Sequence, residues 1–405
     1  MAQSILGSLS MGYELVWNQW RRCVAVRLFV EPHASGSVDA QHLLSTLSEL
    51  WPLSAVILQI STPSLSLLNG LLDFSPQANI WIEVQEHWMV DAIFSGKVRA
   101  ASARGVSLVW RGGPGQAPHD SLTERFRQFL REPTAQQALS ALRVALRQQQ
   151  DGGLGAATMQ SPIVAGCLYT GLASQALVEH ALDRQGVWAV AGWPNEEVLY
   201  GYRFRQIQPS RVCIESLLNA VDTDQSVDIL EQRLGNDPLL AYRFLRFANS
   251  AAVGMRHEAQ SLRQGLMAMG YSHLRKWLME QLTHASSDPN LDPVRKSMVL
   301  RAHIMERLAD AGVEEDLRRE VFLCGILSQL DMLVGEPLGA TVHRLPLPGR
   351  VNSAILGQTG PYAPYLDMAA ALESGATGLI RDVGVALNMA PEDVNRALLR
   401  TLATL

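Results

Sequence analysis

The chain has 405 residues, 34 Lys and Arg against 39 Asp and Glu, and a formal net charge of −5. Its 47% hydrophobic and 18% charged residues are ample for full-sized cores, which excludes a mainly disordered chain, and at about 100–200 residues per domain the length suits two domains. The acidity argues against a nucleic-acid partner, no apolar run approaches the roughly 20 residues that span a bilayer, and Met1–Ser10 lacks a basic n-region, so a cytoplasmic protein with no membrane partner is expected.

Short apolar, β-branched runs recur through the first two hundred residues: Cys23–Val30, Ala55–Ser61, Asn79–Gln85, Gly105–Arg111, Ile163–Tyr169 and Val187–Trp193. They are near-continuously apolar, as strands buried on both faces are. Helix-length stretches lie between them: Val38–Leu50, Pro63–Leu72, His87–Ala103, Thr134–Gln150 and Gly171–Gln185. This alternation predicts βαβ units and a parallel sheet. An eight-stranded barrel usually takes about 250 residues, so an incomplete or trimmed one is expected here. The loop Gly112–Asp120 is rich in Gly and Pro but has neither glycine-rich phosphate-binding pattern, and reads as a connection.

From about Arg211 onward only helices are predicted. Asp237-Pro238 is an N-cap followed by proline at N1, opening Leu239–Asn249. Ser261 with Gln264 makes a capping box, Gly270 closes that short helix, and Ser272 can cap His273–Leu282. Asp292-Pro293 repeats the cap-and-proline device for a helix running to Gly312, and Glu314–Leu333 is a further helix stopped near Gly335. Cys23, Cys167, Cys213 and Cys324 are too widely spaced for a zinc knuckle or a redox pair, so reduced thiols are expected.

Several pieces of the second half occur in a telling order. They are Asp237-Pro238-Leu239-Leu240, Asn249-Ser250, Ser261-Leu262-Arg263-Gln264-Gly265 and Met269-Gly270, then Gly325-Ile326-Leu327-Ser328-Gln329 and Glu373-Ser374-Gly375. Together they resemble the HDOD domain, an all-α relative of the HD phosphohydrolases, in the subset joined to EAL domains. The resemblance implies a boundary near residue 196, with 1–196 a degenerate EAL-like domain and 197–405 an HDOD domain of bundled helices. Where HD enzymes carry a metal-binding His-Asp pair, the matching positions are Ser328 and Gln329, which cannot supply those ligands. His303 reads as a packed or surface histidine.

The first half is similar to the EAL phosphodiesterase barrel, a TIM-like fold, in short stretches. Gly12-Tyr13-Glu14-Leu15 resembles that family's opening stretch, Gln59 falls where an Asn ligand is expected, and Glu83 lies in a stretch similar to its L-E-I-x-E strand. Gly192-Trp193-Pro194 resembles a late strand end. The departures bear on chemistry, because cleaving a phosphodiester with two dications needs several converging carboxylates. No aspartate lies between Gly105 and His119, where the family's pair belongs. The chain's three lysines are Lys97, Lys276 and Lys296, so the catalytic-core lysine has no candidate within 98–275, and arginine is a poor substitute. Glu14, Gln59 and Glu83 are therefore expected to be vestigial pocket positions.

The combined expectation is a non-catalytic signal-transduction protein related to cyclic-di-GMP signalling, with no cofactor and with other signalling proteins as partners. One alternative is a cyclic-di-GMP receptor using Arg104, Trp110 and Arg111; another is a residual phosphodiesterase.

Overall fold

The computed structural model describes residues 4–33, 38–150, 160–251, 253, 257–309 and 314–405. Eight strands close into a barrel in sequence order: β1 Leu9–Trp17, β2 Cys23–Pro32, β3 Ile57–Ser61, β4 Ile80–Gln85, β5 Leu108–Arg111, β6 Gln128–Arg131, β7 Leu168–Tyr169 and β8 Ala189–Ala191. From β2 to β8 neighbours are parallel, whereas β1 is antiparallel to both β2 and β8. Two expectations are corrected. The barrel is complete rather than trimmed, because very short strands such as β7 and β8 suffice to close it, and its strands are mixed rather than all parallel. All six anticipated runs contain a strand; β1 and β6 are additions.

Inside, small and large apolar side chains fill one end of the barrel: Val16, Ala25, Trp81, Val109, Leu130, Leu168, Ala189 and Ala191 form one buried cluster. Trp188 packs against it and stacks on Trp81 at 5.7 Å. This floor lies toward the N-terminal ends of the parallel strands. Above it the inward positions turn polar, and this change defines the site.

Contacts divide the chain into two compact units, residues 1–197 with 371–405, and residues 198–370. Residues 371–405, expected within the helical half, pack with the barrel instead. The helix Pro391–Leu402 lies along β1, and Asn395 Nδ2 donates to the carbonyls of Leu6 and Leu9, both at 2.8 Å. The anchoring is long-range: Asn395 is itself buried and its partners are backbone carbonyls at and just before the start of β1.

The helical unit contains Arg211–Asp222, Val227–Leu234, Pro238–Ala248, Leu262–Leu282, Leu291–Leu308 and Glu315–Leu327, followed by shorter helices. The Asp237 cap is realised: its Oδ1 accepts from the amides of Leu239 and Leu240, both at 2.9 Å. The same carboxylate accepts from the Ser210 amide at 2.6 Å and lies 3.3 Å from buried Arg295. Ser261 caps its helix through the Gln264 amide, and Gly270, at φ 72°, breaks the Leu262–Leu282 span where a helix end was expected. Two boundaries differ. Asp292 and Pro293 sit inside the first turn of a helix that already begins at Leu291, and the end expected at Gly312 lies outside the described residues. The Glu314–Leu333 stretch is two helices, the second ending at left-handed Gly335. Among the described residues no helix is long and apolar enough to cross a membrane.

Candidate functional site

The site lies inside the barrel, one layer above the apolar floor. Inward-facing Glu14 from β1, Arg27 from β2, Gln59 and Ser61 from β3, Glu83 from β4 and Arg111 from β5 meet there. Arg27 is at the centre. Its Nε and Nη2 donate to the two Glu83 oxygens at 2.8 and 2.9 Å, and its Nη1 donates to Glu14 at 3.3 Å. Glu83 also accepts from Gln59 Nε2 at 2.8 Å, Ser61 Oγ at 3.0 Å and Arg111 Nη1 at 3.2 Å. A carboxylate with so many donors is well compensated for losing water. The three positions singled out by sequence, Glu14, Gln59 and Glu83, thus fall in one cluster, and Gly192 borders it: a Cβ there would meet Glu14 Oε1 at 2.9 Å.

Electrostatics separates the two carboxylates. Complete burial works to raise Glu83, but the Arg27 charge and its hydrogen bonds, with Arg111 and Gln59, hold it below its ordinary 4.5. Burial pushes Glu14 above that value, against the opposing pull of Arg27. Glu83 is 1% exposed and Glu14 27%, so the cluster is sealed beneath and reaches solvent at Glu14 and at Arg111, which is 34% exposed.

An EAL-like barrel implies divalent cations at this level, and the residues present do not fit them. A guanidinium already engages both carboxylates, and the end of β5, where the resemblance puts aspartates, carries Arg111. Gln59 Oε1, buried without a hydrogen-bond partner, is one further oxygen, too few for a pair of dications. Among the described residues no three His, Cys, Asp or Glu side chains come together in a way that could hold a metal ion.

Sequence reasoning missed Arg27, although a signal was there. An arginine in the apolar strand Cys-Val-Ala-Val-Arg-Leu-Phe-Val, in phase with Ala25 and Phe29, must be buried and must have partners. The receptor trio does not converge. Trp110 is fully buried, packed on Phe129 at 6.2 Å, and Arg104 follows the helix Ala92–Ala103 and bonds the Leu72 carbonyl. Only Arg111 belongs to the cluster.

In the helical unit, Ser328 Oγ donates to the Gly325 carbonyl at 2.7 Å. With its amide oxygen turned toward Arg301, Gln329 accepts from both terminal nitrogens of that guanidinium at 3.0 and 3.2 Å. His303 pairs with Glu306 at 3.2 Å and leans on the Phe322 ring, as a surface histidine does.

The class defined by these features is a closed barrel with an internal arginine–carboxylate cluster, joined to an all-helical unit. Comparison with known proteins places the second part: residues 208–335 match the HDOD domain family. Among curated proteins, the chain is 24% identical over 173 residues to the uncharacterised protein YuxH of Bacillus subtilis, covering 42% of each chain. It is 25% identical over 197 residues to the cyclic di-GMP phosphodiesterase CdgJ of Vibrio cholerae, covering 48% of this chain and 45% of that one. The matches thus span less than half the length of these relatives. Among solved structures, the MmoQ response regulator of Methylococcus capsulatus matches at a TM-score of 0.39 and 18% identity, over 48% of this chain and 98% of that one. Klebsiella pneumoniae BlrP1, in its calcium and cyclic-di-GMP complex, matches at 0.31 and 15%, over 48% and 57%.

Proposed function

We propose that this chain is a non-catalytic regulatory protein of bacterial cyclic-di-GMP signalling, working through contacts with other signalling proteins, with a degenerate EAL-like barrel and an HDOD unit. The observation that carries the reading is Arg27. Its guanidinium stands between Glu14 and Glu83, the two carboxylates that would have to hold metal, and it keeps its charge at any physiological pH. A second arginine, Arg301, satisfies Gln329 at the position where an HD enzyme has its metal-binding pair. The CdgJ and HDOD matches support the signalling context.

The test is a calorimetric titration of cyclic-di-GMP into the full chain, with and without Mn²⁺, followed by chromatography of the cell contents. No linear dinucleotide is expected under either condition. Product that depends on Mn²⁺ and is abolished by Glu14→Ala would overturn the non-catalytic reading. Binding without product would make the barrel a cyclic-di-GMP receptor instead.

A further inference from the structure

The open end of the barrel, above the arginine–carboxylate cluster, is partly occupied by the chain itself. β1 and β2 pair Gly12 with Phe29, one inward position above Glu14 and Arg27. The segment that follows the helix Ala363–Leu372 crosses this point. A Cβ on Gly12 would run into the Ser374 carbonyl oxygen, would meet the Ile380 side chain at 2.7 Å, and would sit 3.3 Å from the Leu372 carbonyl. Gly375 lies against the Phe29 ring, which carries Arg27 on its face at 4.8 Å. Thr377 Oγ1 donates to Glu31 near the end of β2, and the Ile380 amide donates to the Ala376 carbonyl at 3.1 Å, starting the next helix over the same strands.

We propose that Leu372–Arg381 is a strap seated in the barrel mouth over β1 and β2, with Gly12 as the notch that admits its backbone. The strap must lift before a ligand reaches the cluster from that side. Access in the strapped state is confined to the arc where Glu14 and Arg111 meet solvent. Glycine at position 12 has no other use: the position is regular extended strand, so the missing side chain is explained by the close approach of a second backbone. The proposal does not depend on whether the mouth takes cyclic-di-GMP.

Hydrogen–deuterium exchange of the full chain tests it. In the native protein, peptides covering 372–381 should be protected. Gly12→Val should speed their exchange by about tenfold to a hundredfold, since overpacking a tight contact costs that much, while peptides from β3 to β5 keep their protection. Thr377→Ala removes only the bond to Glu31 and should speed exchange of the strap a few-fold, about the worth of one hydrogen bond; it serves as the test should Gly12→Val fail to fold. Native exchange at the unprotected rate would overturn the proposal. So would unchanged protection in Gly12→Val, or in Thr377→Ala where that variant is the test.

Discussion

Replacing Arg27 by methionine isolates the central interaction of the barrel, because methionine can occupy the space of the arginine stem without its charge. Glu83 is 1% exposed, and the variant leaves this carboxylate with Gln59, Ser61 and the half-exposed Arg111 as its remaining partners. Breaking a buried ion pair from one side costs about 3–5 kcal/mol, most of it the burden of the charge left behind. That burden falls if the charge can be neutralised. Arg27 is the main influence opposing the burial that would raise Glu83, so in Arg27→Met the Glu83 carboxyl should titrate above its usual range. The deficit should be largest near pH 7 and shrink toward pH 5 as Glu83 takes up a proton. Urea unfolding followed by tryptophan fluorescence suits the measurement: of the nine tryptophans only Trp277 lies outside residues 1–197. A double-mutant cycle with Glu83→Gln should return a coupling of about 1–3 kcal/mol. A loss of about 0.5 kcal/mol or less in Arg27→Met, the size of an ordinary surface change, or a deficit independent of pH, would refute this account of the cluster.

Other expectations follow from the same geometry. In the native chain Glu83 is held below 4.5, so the stability it contributes is present above that value and is lost as pH falls through the lower folded value; Glu14, shifted upward, acts in the opposite sense. Acid titration of Glu83→Gln should therefore show a shallower loss of stability below pH 4.5 than the parent, read by the same fluorescence. Excess EDTA should leave the unfolding midpoint where it was and Mn²⁺ should not raise it, because a ligand that binds only the folded state would shift it; a rise in calorimetry would contradict the arginine-filled site. In the helical unit, Asp237→Ala removes a cap worth about 0.5–2 kcal/mol and strips buried Arg295 of a partner, and should cost more than Asp237→Asn, which can still accept from the Leu239 and Leu240 amides. Gly270→Ala should cost about 1–3 kcal/mol through backbone conformation alone, since φ is 72° with ψ 165°, a region essentially reserved for glycine, and a Cβ there would meet nothing within 4 Å; both are checked by denaturation followed by circular dichroism.

The apolar strands and the capped helices were legible in the sequence because each carries its own local signal. Cys23–Pro32 is β-branched and continuous, and Asp237-Pro238 states a helix start in two residues. β1 was not, since Gly12 and Glu14 interrupt its apolar run for reasons that lie far off in sequence: a strap backbone and an internal cation. β6 has four residues, preceded by Arg127 and ending at Arg131, and what makes it a strand is its pairing with β5 and β7. The site was half legible. Glu14, Gln59 and Glu83 stood out through likeness to a family, whereas Arg27, which decides what the carboxylates do, was hidden within a hydrophobic strand. Likewise, that residues 371–405 belong with the barrel rests on long-range partners such as Asn395 with Leu6, which no local pattern announces.

That last pairing has a consequence for biosynthesis. β1 and the helix Pro391–Leu402 that docks beside it are separated in the chain by the whole of 198–370. The helical unit is contiguous, and its contacts are all available before residues 391–402 emerge. The barrel unit, by contrast, cannot complete its contacts until residues 371–405, made after 198–370, have emerged. The second-made unit is thus able to mature first, and the incomplete barrel is the part a nascent-chain chaperone would have to shield.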